Sequence, residues 1–504
     1  MAPPFPDHAA RRFDIRDFGA RGTGETLATD AINAAIIAAA DGGGLVTIPA
    51  GRFLCFTLRL ASRVTIAFEE GAVIEAADPA RAGGAYDLPE PRPPALYQDF
   101  GHSHWHNSLF VGDGIEEVAI IGPGLIDGRG LTRDGPGAGW RKQAGERPLS
   151  MAGMSAEEIA ALEPPEAQMR GLGNKAIGLH EARRVHLAGF AMRDCGHFAI
   201  LASGCEHLAI ADLTIDTQRD GIDLDCVRDA VVERCRVNTP NDDAIVIKSS
   251  LALGGPIASE RIVIRGCAVS GYDPGTMLDG SFGRTQQLAP DRDRVTGRIK
   301  LGTESNGGFR DILIEDCRFK RSRGLALEVV DGGVMENITA RRLVMEEVTT
   351  APMFIRLGDR RRGPEGTGIG RIANIAISDV TASGIDPRFA ATIAGLPDHP
   401  VRNVTLRDIR LSYAGGSDID PPPMPDELPD AYPEPSMFGP TPAWGLWLRH
   451  AHDITIDGLE LAAVKPGARA AIAVEDGPGL QISRSNELTS AASGDIHMLD
   501  NRPT

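Results

Sequence analysis

Nine short segments of one pattern run through the chain: VHLAGF from Val185, LAIADL from Leu208, AVVERC from Ala230, IVIRGC from Ile262, ILIEDC from Ile312, ITARRL from Ile338, IAISDV from Ile375, VTLRDI from Val404 and ITIDGL from Ile454. Their first, third and sixth positions are all apolar. The first two steps are 23 and 22 residues, and the later ones lengthen to 32, 50, 26, 37, 29 and 50. A period near 22 that tolerates insertion belongs to coils that stack strand on strand and carry extra residues in their turns. A doubly wound sheet would need a long helix between parallel strands, for which 22 residues leave little room. The repeat therefore predicts an all-β chain folded as a single-stranded parallel β-helix.

At the sixth position stand Phe190, Leu213, Cys235, Cys267, Cys317, Leu343, Val380, Ile409 and Leu459. Stacked coils bring these into one interior ladder with a rise of about 4.8 Å per coil. Three of the seven cysteines are thereby explained as small core groups. With an odd total and no CxxC pair, neither a disulfide framework nor a zinc site is expected.

Ahead of the repeat, residues 26–40 read as an amphipathic helix ended by Gly42, Gly43 and Gly44 and followed by the strand LVTIPAGRF. Such a helix would cap the first coil, whose open end exposes strand edges and apolar core. The chain 1–504 is read as one β-helix domain, with the cap at roughly 12–60, coils at roughly 61–480 and a tail at 481–504. Abundant Gly (59) and Pro (35) supply the turns. Three irregular insertions, roughly 130–174, 271–295 and 412–442, interrupt the coils and are expected to wall a cleft.

A formal charge of −17, with Arg360, Arg361 and Arg362 as the longest basic run, argues against a nucleic-acid partner. The start of the chain, MAPPFPDHAARRFDIRDFG, lacks the apolar run of a secretory leader, and the longest apolar stretch, around residues 31–40, is too short to span a bilayer. No membrane partner is expected. The compartment expected is the cytoplasm, or the periplasm or exterior if a leader has been removed. No cofactor or metal is expected, and the oligomeric state is left open.

Two neighbouring coils carry RDGIDLD and PNDDAIVIK, in which Asp220 and Asp242 lie at equal offsets from their segment starts. Asp220, Asp242 and Asp243 should converge on adjacent rungs. Crowded carboxylates repel, so one is expected to hold a proton while another stays ionised, which is the division that glycoside hydrolysis requires. An isolated aspartate in such a fold is more simply a turn former. Three on matched rungs, each followed by an alternating strand, favour chemistry.

These residues carry a resemblance to a known family. RDGIDLD and NDDAIVIKS are similar to the NTDGID and GDD-cIAIKS motifs of the polygalacturonases, glycoside hydrolase family 28. The opening FDIRDFGARGTGETLATDAINAAIIAAADGGGLVTIPAGRF and the late YPEPSMFGPTPAWGLWLRH also resemble members of that group. The resemblance implies a right-handed parallel β-helix and inverting hydrolysis of glycosidic bonds in pectin-like substrates. It assigns the general acid to Asp242, and the holding and activation of water to Asp220 and Asp243.

Two family motifs do not carry over. TGRIKLGT places Gly297 where the family has histidine, and RGLALEV places Ala326 and Glu328 where it has the substrate-binding Arg and Lys. In the aligned strands Asp223, Val246, Lys300 and Ala326 share one column, and Asp225, Lys248, Gly302 and Glu328 the next. Lys300, Lys248 and Arg298 are therefore expected beside the acidic cluster, where with Asp223 and Glu328 they would bind a polar or acidic sugar in an altered orientation. Salt bridges across rungs are the plainer alternative for the same residues.

His102, His104 and His106 alternate, so on a strand they share one face. A metal site is the lesser reading; a sugar subsite formed by His104, Trp105 or His106 is preferred. The expected activity is exo-acting hydrolysis of acidic or polar oligosaccharides or polysaccharides. One alternative is a lyase, in which Asp223 and Asp225 hold Ca²⁺ and Lys300 or Arg298 removes a proton. Another is a non-catalytic carbohydrate-binding solenoid.

Overall fold

The computed structural model describes residues 11–90, 102–132, 171–285, 295–415, 419–464 and 468–485, together with the backbone of the strand Ile496–Leu499. Most of the expected insertion at 130–174, part of that at 271–295 and much of the tail lie outside the described residues. Contacts divide the chain into two compact units. The first is Met1–Ile245 with Ala252–Gly254 and Tyr272–Asp293; the second is Val246–Leu251 with Gly255–Gly271 and Arg294–Thr504.

Both units are built from parallel strands stacked coil on coil. In the first, Leu58–Arg59, Ser108–Asp113, Lys175–His180, Phe198–Ser203 and Asp220–Asp225 form one face in that order. In the second, Ile299–Ser305, Leu325–Val329, Met353–Leu357, Ala391–Ala394, Ala443–Arg449 and Ala470–Glu475 do the same.

The repeated segments form another face of each unit, and their starting residues are Cα partners: Val185 with Leu208 and Leu208 with Ala230 in the first, then Ile262, Ile312, Ile338, Ile375, Val404 and Ile454 in sequence in the second. Every first, third and sixth residue of the nine segments is at most 2% exposed. The seven cysteines are all free and buried.

Each segment is flanked by a backbone feature that makes the coil turn. The residue before the first apolar position, namely Arg184, His207, Asp229, Arg261, Asp311, Asn337, Asn374, Asn403 or Asp453, has φ between 52° and 60°. The fifth position is left-handed as well, at Asp212, Arg234, Asp316, Arg342, Asp379 and Asp408, and at Gly189, Gly266 and Gly458. This region favours Gly, Asn and Asp, which supply 13 of the 18 residues. Stacked asparagines add side-chain ladders, from Asn337 to Asp311 (3.0 Å) and from Asn403 to Asn374 (2.6 Å).

The capping helix begins later than the sequence suggests. Residues 23–27 form a strand along Gly51–Cys55, with Leu27 opposite Leu54, and the helix runs Thr29–Ala40. Edge pairing wins there because the Ala28 N–H is drawn to the Leu54 carbonyl (2.9 Å). The helix buries Ile32, Ala35, Ile36 and Ala39 and leaves Ile37 71% exposed. Asn33 ties it to the coil, donating to the Thr57 carbonyl (3.0 Å) and accepting from the Arg59 N–H (2.8 Å). Among the described residues no helix is long and apolar enough to cross a membrane.

Candidate active site

Asp220 opens the strand Asp220–Asp225 and stands beside Phe198, which stands beside Lys175. Alternation sends Ile222 and Leu224 into the core and turns Asp223 and Asp225 to the opposite face. The Gly221 N–H donates to the Asp243 carbonyl (3.0 Å) and the Ile222 N–H to that of Ala244 (2.9 Å). Asp243, rather than Asp242, is therefore the neighbour of Asp220 along the ladder. The equal-offset expectation is off by one because this coil spends an extra residue in its turn, where the Asn241 N–H donates to Gln218 (3.1 Å) and the Thr239 hydroxyl to the Asp242 carbonyl (2.9 Å).

Convergence itself holds. Asp220, Asp242 and Asp243 each bring a carboxylate oxygen within 4.8 Å of the other two, and the residues are 3%, 8% and 4% exposed. The Asp243 N–H donates to Asp242 Oδ1 (3.1 Å), and Arg219 Nη2 lies 2.7 Å from Asp242 Oδ2. His197 Nε2 is 3.8 Å from Asp220 Oδ2, and His102 Nε2 is 3.6 Å from Asp223 Oδ2. The rings of His102 and His197 both pack on Phe198, with centroids 4.9 Å and 4.4 Å away.

The sequence reading missed Arg219 and His197, although a signal existed. Asn174, His197, Arg219 and Asp242 recur at steps of 23, 22 and 23 residues, each one position before its coil's strand pairs.

Residues 102–107 do not form a strand, so the three histidines do not share a face. The Glu90 carboxylate accepts from the N–H groups of Trp105 (2.9 Å) and His106 (3.1 Å) and bends the segment. Trp105 is fully buried, donates to the Ser203 hydroxyl (2.9 Å) and packs against His180 at 4.0 Å. His104 is 1% exposed, which closes it to a sugar in this conformation. His106 instead meets Asp113 (3.1 Å), which also takes His180 (2.7 Å).

Lys175 is fully buried between Asn174 (2.6 Å), Asn107 (3.4 Å) and the Phe198 ring, and burial lowers its pKa to about 7. Asp216 and Asn238 anchor the start of the second insertion, 271–295, in this unit. Asp216 accepts from Asn238 and from the N–H groups of Gly275, Met277 and Leu278, all at 2.9–3.0 Å.

In the second unit the expected sugar-binding residues sit in ion pairs. Lys300 stands beside Ala326, as the aligned columns suggest. Its ammonium meets Glu328 (3.1 Å), Thr303 Oγ1 (2.6 Å) and the Tyr432 hydroxyl (3.3 Å). Arg298 forks onto Glu434 (2.9 and 3.0 Å), where Arg323 joins it (2.7 Å). Lys248 lies 3.8 Å from Glu304. The salt-bridge alternative thus describes Lys300, Glu328, Arg298 and Lys248. Arg323, Tyr432 and Glu434 were not foreseen, since nothing in a proline-rich stretch marks where it docks.

Among the described residues, sets of three ligand atoms within 4.8 Å of one another are Asp220/Asp242/Asp243, His102/Asp220/Asp223, Glu90/His106/Asp113 and Glu427/His450/Glu475. Asp225 joins none of them.

No family model matches the chain. It is 23% identical over 471 residues to a probable polygalacturonase of Vitis vinifera, spanning 87% of this chain and 84% of that one. A 125-residue stretch is 35% identical to an exo-poly-alpha-D-galacturonosidase of Dickeya chrysanthemi, covering 24% of this chain and 20% of the relative. The family 28 exopolygalacturonase structure from Yersinia enterocolitica superposes with a TM-score of 0.64 over 93% of this chain and 78% of its own, at 17% identity. Along most of its length the chain is thus similar in sequence to a probable polygalacturonase, and it shares the right-handed parallel β-helix of the exopolygalacturonase structure.

Proposed function

We propose that the chain hydrolyses glycosidic bonds in galacturonan-type oligosaccharides, with Asp242 giving a proton to the leaving oxygen while Asp220 and Asp243 hold and activate water. The observation that carries this reading is the approach of three nearly buried carboxylates to within 4.8 Å. Their approach sets a carboxyl able to give a proton beside a pair able to hold water, the two roles that the reaction needs.

Inversion is the stereochemistry that the resemblance implies. An acid and a base that flank a water are usually about 6.5–9.5 Å apart. The closer approach here suits a water held by Asp220 and Asp243 together, beside rather than between the acid and a lone base. Asp242 must carry a proton for its step, and Arg219, 2.7 Å away, directs the carboxyl while opposing that protonation. Two of the relatives are named as exo-acting, and we extend release of terminal sugars to this chain. The lyase alternative is weakened because Lys300 and Arg298, its candidate bases, are engaged by carboxylates.

The test is digestion of oligogalacturonides in ¹⁸O-water, with products followed by mass spectrometry and the first-formed anomer by NMR. One labelled oxygen per cleavage, an inverted anomer and loss of product in Asp242→Asn support the proposal. Unsaturated products without label, or an unimpaired Asp242→Asn protein, would refute it.

A further inference from the structure

The proline-rich segment 419–434 ends in Tyr432, Pro433 and Glu434, and Glu434 is held extended (φ −138°, ψ 145°) ahead of Pro435. The two flanking prolines stiffen this tip. What it presents is a hydroxyl and a carboxylate. The Tyr432 hydroxyl meets the Lys300 ammonium (3.3 Å) and Thr303 Oγ1 (3.1 Å), and Lys300 also lies 5.2 Å from the ring centroid. The Glu434 carboxylate accepts from both arms of the Arg298 fork and from Arg323 (2.7 Å).

The receiving groups are 1% exposed at Arg298 and Lys300 and 3% at Arg323. Planar guanidinium forks are suited to carboxylates as a class and do not distinguish a glutamate from a sugar acid. Holding two arginines buried is costly without an anion, so the site needs one at all times. A hydroxyl and a carboxylate are also what an acidic sugar carries on one ring.

We infer that Arg298, Arg323, Lys300 and Thr303 form a binding site for a uronic acid, and that Tyr432 and Glu434 are its resident occupants, displaced when the sugar arrives. This deepens the proposed function and rests on its reading of the substrate as an acidic sugar. The segment 419–434 then acts as a competing ligand. Ligands bearing the carboxylate exchange with it, and neutral sugars leave it in place.

The test uses the full chain, sodium galacturonate as ligand and galactose as the neutral control. Calorimetry should show galacturonate binding and no galactose binding. Proteolytic cleavage within 419–434 should quicken about tenfold with galacturonate alone, as expected if the tip is released to solvent. Glu434→Gln, which keeps the shape and removes the charge, should bind galacturonate roughly tenfold more tightly, a factor worth about 1.4 kcal/mol. Tyr432→Phe, a milder change, should tighten binding in the same direction.

Galacturonate binding that leaves the cleavage rate unchanged, or variants that bind no more tightly than the parent, would overturn the inference and make Glu434 a structural strut. Hydrolysis of oligogalacturonides without any binding of the monosaccharide would also overturn it while leaving the hydrolase standing. Exchange without hydrolysis would do the reverse.

Discussion

Arg219 Nη2 lies 2.7 Å from Asp242 Oδ2, and the two side chains are 13% and 11% exposed. A guanidinium this close fixes the direction of the carboxylate and favours its charged form. Arg219→Gln should therefore lower kcat by about tenfold or more through lost orientation, within the range of a misplaced general acid. It should also carry the alkaline limb of the pH profile to higher pH, because a proton on Asp242 no longer competes with a neighbouring cation. Separate kcat and KM measurements across pH check this; an unchanged alkaline limb would place Arg219 outside the acid's surroundings.

Lys175 offers a stability test independent of activity. Burial lowers its pKa to about 7 from an ordinary value of 10.5, so between those values the unfolded chain binds a proton that the folded chain does not. Stability should rise with pH through that window, by up to about 1.4 kcal/mol per pH unit. Lys175→Met should flatten the rise and stabilise the protein most near neutrality. Urea denaturation at several pH values measures both slopes, and parallel curves would mean that the ammonium stays charged in the folded chain.

The coil register was legible because one residue type repeats at one place. Ile338, Ile375, Val404 and Ile454 pair although 37, 29 and 50 residues separate them, since insertions go into turns and leave the apolar triplet intact. The left-handed corners were legible in part, at Asp, Asn and Gly positions, but Arg184 or Arg342 gives no such sign. The acidic cluster could be read to within one residue, because turn length sets which of Asp242 and Asp243 meets Asp220. Contacts that cross long loops were not legible. Glu90 bending 102–107, and Glu434 seating on Arg298 and Arg323, depend on where an aperiodic segment returns to the coil.

The segment 419–434 has a second tie that should respond to pH. His450 donates toward Asp476 through Nδ1 (2.8 Å) and toward Glu427 through Nε2 (3.1 Å), with Arg449, Glu475 and His452 packed around the same carboxylates. Burial opposes charge on the imidazole, but the two acidic partners outweigh it and raise its pKa above the ordinary 6.5. The stabilisation is therefore fully present below about pH 6.5 and is lost as pH rises through the raised folded value. His450→Gln should melt lower than the parent in mild acid, with the gap closing in alkali. Melting curves over that range test the sign; a gap that widens with pH would contradict it.

The cysteine ladder makes a prediction about reactivity and packing together. Cys267 and Cys317 precede the paired residues Ala268 and Arg318 and so occupy one interior column, at 1% and 0% exposure. Burial raises the thiol pKa of Cys205 to about 12 and lifts those of Cys55 and Cys195 as well; for Cys317 the hydrogen bond with Cys267 is the larger cause. Thiolate is the reactive form, so a thiol reagent should titrate none of the buried cysteines in the native protein and all seven in denaturant. Cys317→Ser should cost about 1–3 kcal/mol, as a hydroxyl in an apolar column does. Cys317→Ala should cost less, because it removes one sulfur's packing without burying a polar group. If serine proves the milder change in urea midpoint, the column is wetter than its exposure implies.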